Sequence, residues 1–228
     1  MPDQNPGPVH ALLEAALIHV PFDGWTEESF RAAIRDCDLD PVVARGLCPR
    51  GALDLAVLYH QQGDDVMAER MHSPEFAAMR IRDKVSFAIR ARLEAVEDRE
   101  LVQRGTTLFA LPQNAGDGAK LIWGTADRIW SEMGDSSRDL NWYSKRATLS
   151  AVYSSVVLYW LGDQSEGHSA TWEFLDRRIE NVMQFEKTKA VLRKTPLIGG
   201  VMEGIGKLFE QVQAPSSGRS DLPGGRPF

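Results

Sequence analysis

The chain has 228 residues and 25.4 kDa, enough for one or two domains and a sizeable buried core. Hydrophobic residues make up 43% and charged residues 25%, an ordinary soluble composition. The excess of acid gives a net charge of −6, which argues against a non-specific polyanion binder, since phosphate contacts need clustered cations. Cys37 and Cys48 are the two cysteines, and they rule out a disulfide framework, a Cys-x-x-Cys zinc site and a thioredoxin-like motif; a reducing cytosol is the simplest compartment.

The opening residues 1–8 read as a disordered lead, neither secretory signal nor Arg-rich transit peptide. Helical periodicity then begins. Leu12, Leu13, Ala16, Leu17 and Val20 share one helix face, and Pro21 with Gly24 is expected to break it. Thr26 caps a second helix, with Glu27 and Glu28 in its first turn and Phe30, Ala33 and Ile34 inward; it stops near Cys37-Asp38. Asp40 and Pro41 open a short third helix that Gly46 closes. Gly51 leads into a fourth, through Leu53, Leu55, Val57, Leu58 and Tyr59.

The pattern predicts one helix from Phe76 to about Leu93, then another over Leu101 to Ala110, ended by Leu111-Pro112. Asn114-Ala-Gly-Asp-Gly reads as a turn. A helix over Lys120 to Met133 stops at Gly134, and Asp139 opens one that runs through Trp160 to Gly162. The last begins near Ser169 and runs into a basic stretch; residues 214–228, with Pro215, Pro223 and Pro227, form a tail. No period-two strand or internal repeat is present, so the fold class is all-α.

Catalytic and metal motifs fail one after another. Glu69-x-x-His72 is a single Glu-x-x-His, where a di-iron site needs two plus further Glu. The glycines around Gly199 to Gly206 do not make a phosphate loop, because the first Gly would fall on Val201 and Leu208 stands where Ser or Thr must hold magnesium. No nucleophile–base pair is visible, which points to a non-enzymatic protein.

The first four helices have helix-turn-helix lengths and short turns. With Ala15-Ala16-Leu17 and Gly24-Trp25-Thr26 they resemble the tetracycline-repressor-type transcription factors. A DNA reader needs cations there. Residues 1–60 hold Arg31, Arg35, Arg45 and Arg50 against nine carboxylates, so the expectation is a retained fold without nucleic-acid binding; a ligand-sensing transcriptional regulator is the alternative.

The stretch 196–213 is sharply two-sided. Leu197, Ile198, Val201, Met202, Ile205, Leu208, Phe209 and Val212 fall within an arc of about 140°, while four glycines weaken the helix in water. Lys187, Lys189, Arg193 and Lys194 precede it. It suits an anionic membrane surface, and equally a last helix docked on its own domain or a partner subunit.

Asp139-Leu-Asn-Trp142-Tyr143-Ser-Lys-Arg146-Ala-x-Leu-x-Ala-x-Tyr153 adds a specific signal. With Leu111-Pro112-Gln-Asn114, Asp127-Arg-Ile-Trp130, Gly134-Asp135 and Thr171-Trp172-x-Phe-Leu-x-Arg-Arg178, it resembles the coenzyme Q biosynthesis protein nine family over about residues 9 to 212. The resemblance implies a homodimer with the repressor-like fold, no cofactor, and a cavity for isoprenoid lipids or a quinone intermediate. It implies presentation of that lipid to the di-iron demethoxyubiquinone hydroxylase. Trp142, Tyr143 and Arg146 would form the partner-facing patch, with Asp139 and Ile129 nearby; the family often has Met at this last position. Leu108, Leu121, Ile122, Met133, Leu149, Val152, Tyr153, Val156 and Trp160 are candidate lipid-lining residues, each also compatible with plain core. Adjacency places Trp142 and Tyr143 about 100° apart on a helix, so at most one is expected to be fully buried and the other exposed.

The expected layout is a helix-turn-helix-like module over 9–60, a helical lipid-binding and dimerisation domain over 61–195, and the membrane-associating stretch. Mitochondrial members carry a transit peptide; its absence here suggests a bacterial version, cytoplasmic and peripheral on the inner face of the cytoplasmic membrane.

Overall fold

The computed structural model describes residues 7–137 and 140–193, except the side chains of 140 and 186–193. The expectations for residues 1–6, Asp139, the stretch 196–213 and the tail 214–228 lie outside the described residues, as do Lys194 and the side chains of Lys187, Lys189 and Arg193 before the stretch. All regular structure among the described residues is helical.

Helices α1 (Pro8–Asp23), α2 (Glu27–Asp36), α3 (Pro41–Leu47) and the first half of α4 (Ala52–Met71) close around one apolar cluster. The starts follow from capping chemistry. The Thr26 hydroxyl accepts from the Ser29 N–H at 3.3 Å, and the Ser29 hydroxyl accepts from the Thr26 N–H at 3.1 Å. Asp40 accepts from the N–H groups of Val42 and Val43, and Pro41 occupies the first helical position, where no N–H is missed. Leu12, Leu13, Val20, Phe30 and Leu55 are fully buried in this cluster.

A larger cluster fills the rest. It is built from the second half of α4, α5 (Pro74–Ala78), α6 (Ile81–Glu94), α8 (Ala115–Glu132), α9 (Leu140–Gly162) and α10 (Ser169–Arg193). A 3₁₀ turn over Glu166–His168 joins the last two, and α4 runs unbroken across residue 60. Between the clusters lies α7 (Arg99–Ala110), whose Leu101 belongs to the first cluster and whose Val102 packs against the second. Trp25 donates its indole N–H to the Leu101 carbonyl at 3.1 Å and ties α7 to the module.

Three sequence expectations need correction. Pro21 does not break α1; the helix continues to Asp23, and Gly24, at φ +70°, closes it by donating to the Val20 carbonyl. The proline forgoes its own hydrogen bond to the Leu17 carbonyl, and the helix carries on past it for two residues. The expected helix from Phe76 to Leu93 is two helices, interrupted by extended backbone at Met79 and Arg80. In one helix the eleven residues from Phe76 to Phe87 would span about 16 Å, whereas their rings meet at 5.4 Å, so the break serves a core contact and leaves no Gly or Pro as a sign. The expected turn after Asn114 is helical from Ala115. Asp117 pairs there with Arg50 at 2.9 Å, and buried Gly118 leaves room for Phe109, whose Cβ would lie 2.8 Å from an added methyl. Tertiary contact overrides the poor helix propensity of these glycines. Smaller shifts are ordinary end effects: α3 passes Gly46 to Leu47, and α7 starts at Arg99.

Gly134 does stop α8, at φ +77°. Its N–H reaches the Ser131 carbonyl and that of Asp135 the Trp130 carbonyl, a closure that L side chains at this φ disfavour. Phe30 is wholly enclosed by the first cluster, so Phe30→Ala should lower the unfolding free energy by about 3–4 kcal/mol in urea titration, against less than about 1 kcal/mol for a control at exposed Phe22.

Candidate functional site

Where α4, α6, α7, α8 and α9 converge they leave a cavity of about 430 Å³. Trp25, Tyr59, Val96, Val102, Phe109, Ile122 and Val157 give it an apolar wall. Its rim includes Ala110, Ala115, Ala119 and Leu158, which are exposed. The size lies in the range of small-molecule sites.

One end is polar and buried. Arg92 of α6 lies flat over Gly63 of α4, where an added methyl would come within 2.5 Å of the guanidinium carbon. Its Nε donates to Asp64 at 2.7 Å and its Nη2 to the His60 carbonyl at 3.0 Å. The Thr125 hydroxyl of α8 contacts the Asp64 carboxylate at 3.0 Å and His60 Nε2 at 2.9 Å. Tyr153 of α9, also in contact with Thr125, is 4% exposed. His60, Arg92 and Tyr153 all line the cavity.

Burial pushes the His60 pKa down to about 3, and the Arg92 charge acts the same way against the Leu121 backbone hydrogen bond; the imidazole is neutral at physiological pH. Burial pushes Asp64 up, opposed by Arg92 and Thr125. Burial likewise raises Tyr59 to about 12. Among the described residues no group of His, Cys, Asp and Glu could hold a metal ion; His72 pairs with Glu132 at 2.9 Å.

Of the sequence-selected lipid-lining residues, Leu121, Ile122 and Tyr153 line this cavity. Leu149, Val152 and Val156 do not; they are buried in the larger cluster, against which Met133 also packs, while Leu108 packs against the first cluster. Their helical phase matched a lining face, but that face of α9 meets neighbouring helices instead. Trp160 lines a second space of about 370 Å³ beside Arg99, His168 and Trp172. Trp25, Tyr59, Phe109 and the Arg92 cluster were missed. One usable signal was the i,i+4 pair His60 and Asp64 on α4.

The aromatic patch forms where the start of α9 meets α8. Trp142 and Tyr143 meet edge to face at 4.8 Å, and Trp123 of α8 lies 5.9 and 6.4 Å from them. Both are half-buried because Trp123 covers each in part, so neither is the fully exposed residue that adjacency led us to expect. Arg146 is 2% exposed. Its guanidinium sits 3.9 Å under the Trp142 ring and pairs with Asp127 and Asp135. Ile129 is fully buried in the larger cluster. Arg146 and Ile129 therefore lie beneath the surface, a correction to their placement in a partner-facing patch. Burial alone would raise the Asp135 pKa, but hydrogen bonds from Lys145, Ser137 and Arg146 outweigh it and hold the carboxyl well below the usual range.

This geometry defines an all-helical, tetracycline-repressor-like protein. The fold resembles the TetR transcriptional regulator from Nitrosomonas europaea, with a TM-score of 0.63 and 16% identity, covering 75% of this chain and 95% of that one. Residues 115–186, which carry the aromatic patch and the cavity's α8–α9 wall, match the COQ9 family. The chain is 30% identical to the probable ubiquinone biosynthesis protein coq9 of Dictyostelium discoideum over 81% of its own length and 62% of that protein's. It is 30% identical to the COQ9 of Drosophila melanogaster over 77% and 55%, and 27% identical to that of Homo sapiens over 85% and 64%. All three relatives are named as mitochondrial. The chain is thus a homologue of the COQ9 proteins, as the Asn-Trp-Tyr block led us to expect, and it spans about three fifths of the length of these relatives.

The buried imidazole makes a pH signature. The folded pKa of His60 lies below the ordinary 6.5, so its contribution is complete above pH 6.5 and is lost as pH falls toward 3. Urea unfolding at pH 7 and pH 5.5 should show a loss about 1 kcal/mol larger in the native chain than in His60→Gln.

Proposed function

We propose that this chain serves ubiquinone biosynthesis as a non-enzymatic lipid carrier. It takes an isoprenoid quinone intermediate into the cavity between α7, α8 and α9. As a homodimer it presents that lipid to the di-iron demethoxyubiquinone hydroxylase through the Trp142–Tyr143 face. Docking on the inner face of the cytoplasmic membrane falls to residues 196–213, and no cofactor or nucleic acid takes part. The observation that carries the reading is the apolar cavity, lined by three helices of the region matched to COQ9 or adjoining it. A long polyprenyl tail is nearly insoluble, and such a cavity removes apolar surface from water at about 25 cal/mol per Å². No helix among the described residues is long and apolar enough to cross a membrane, so access to lipid would come from the surface.

The regulator alternative loses support at α3. Val42 is 81% exposed there, and Arg45 is tied to Glu27 at 2.5 Å. Arg31 shares Glu27 and Arg50 is held by Asp54 and Asp117, which leaves exposed Arg35 as the one cation of the four without an ion pair among the described residues. Base edges need free donors and phosphates need free cations.

Native mass spectrometry with lipid extraction, on protein purified from its own host, tests the carrier. A co-purifying polyprenyl quinone or precursor is the expected result; lipid-free protein that shifts operator DNA overturns it. Tyr143→Ala tests the docking face more cleanly than a Trp142 change, since Trp142 covers the buried Arg146. It should weaken hydroxylase capture by about tenfold or more while helicity and lipid content stay unchanged.

A further inference from the structure

We propose that His60, Arg92 and Tyr153 form a head-group site that selects an uncharged, oxygen-accepting head of quinone or ketone type over an anionic one. The inference rests on the cavity being a lipid site. Its first support is position. The three side chains lie at the buried end, with Arg92 and Tyr153 at 5% and 4% exposure, while Leu158 at the rim is 61% exposed. An amphiphile therefore enters head first, with its tail along the apolar wall.

The second support is that this polar end stands alone. The aliphatic hydroxyls on the wall are spent on their own helices, Thr106 donating to the Val102 carbonyl and Ser154 to the Ser150 carbonyl, while the Tyr59 phenol lies within reach of the Arg92 charge and so belongs to the same end. A head group finds donors in one place only. Arg92 has five N–H groups in a fixed fork, and among the described residues the network uses its Nε and Nη2 and leaves Nη1.

The third support is charge. Arg92, itself buried, is already neutralised by half-buried Asp64 at 2.7 Å, and His60 carries no charge at physiological pH. The end carries no net charge, and its donors to a head group come from Arg92 and Tyr153, because the single N–H of the neutral His60 ring is engaged by Thr125 or the Leu121 backbone and the ring shapes the end instead. A carbonyl oxygen gains a hydrogen bond there, whereas a phosphate or carboxylate would be stripped of water beside Asp64 with no cation left to pair it.

The test is a titration of the full chain, read by tryptophan fluorescence because Trp25 lines the cavity, with three probes that share one tail: a decyl-benzoquinone, decyl phosphate and decane. The quinone should bind at least tenfold tighter than the other two. Tyr153→Phe should weaken the quinone by about fivefold and leave decane unchanged. Asp64→Asn frees the Arg92 charge and should raise decyl phosphate affinity by about tenfold or more. Decyl phosphate equal to or tighter than the quinone in the native chain overturns the selectivity, and decane equal to the quinone reduces the cluster to a structural tie. Binding of none of the three overturns the lipid-cavity reading itself, an outcome separate from a wrong ranking. Should Asp64→Asn lose its helicity, the native ranking and Tyr153→Phe decide the matter.

Discussion

A single buried guanidinium organises the centre of the molecule. Taking Arg92 out of water costs several kcal/mol unless its charge and donors are matched, and the match is built by three other helices, α4 directly and α8 and α9 through Thr125 and Tyr153. Asp64 and the His60 carbonyl are on α4, Thr125 on α8 and Tyr153 on α9. The match also needs Gly63, since any side chain there would occupy the guanidinium's own space. Helices joined only by apolar contact can slide by a turn and repack. Helices that must converge on one charge cannot slide without leaving it unpaired. The cavity beside Arg92 thus has a fixed shape for the same reason that the four helices have a fixed register.

The N-terminal module is part of that construction rather than an appendage to it. Trp25 is buried in the module's own cluster, donates to the α7 backbone and lines the cavity, so one side chain belongs to both halves. Arg50 repeats the link at the surface by joining Asp54 and Asp117. Gly118 lets α8 close against Phe109 of α7. The Trp25 and Gly118 contacts position α7, the helix that walls the cavity on the module's side, and the Arg50 contact positions α8 beside it.

The fold was legible because its signals are local. Thr26, Asp40 with Pro41, and Gly134 act within one turn of themselves, and the structure places a boundary at each. What escaped notice depends on residues far apart in sequence. The Phe76–Phe87 ring contact splits a helix that has no breaker, and the pairing of Asp117 with Arg50 turns a glycine-rich stretch helical. The cavity was half legible for the same reason. Helical phase tells which side of α9 is apolar, but it cannot tell which part of that side meets a neighbour, as Val152 and Val156 do, and which part faces a space, as Val157 does. Arg92 was invisible, since an arginine between Ala91 and Leu93 reads as a solvated position until Gly63 and Asp64 are seen beneath it.

The two arginines that matter most show how burial separates support from contact. Arg146 and Arg92 are both nearly enclosed and paired with carboxylates, yet they face different neighbours. Arg146 lies beneath Trp142, where its cation holds the ring by an attraction of about 1–2 kcal/mol at a desolvated site. It shapes a surface without being presented at it. Arg92 lies against Gly63 at the wall of a space. Two aspartates and the Trp142 carbonyl hold the first, while one aspartate and the His60 carbonyl hold the second. What separates them is that Arg92 lines a cavity and Arg146 lies under a ring. In a wall otherwise made of carbon, one spare donor is enough to decide which end of an amphiphile lies innermost.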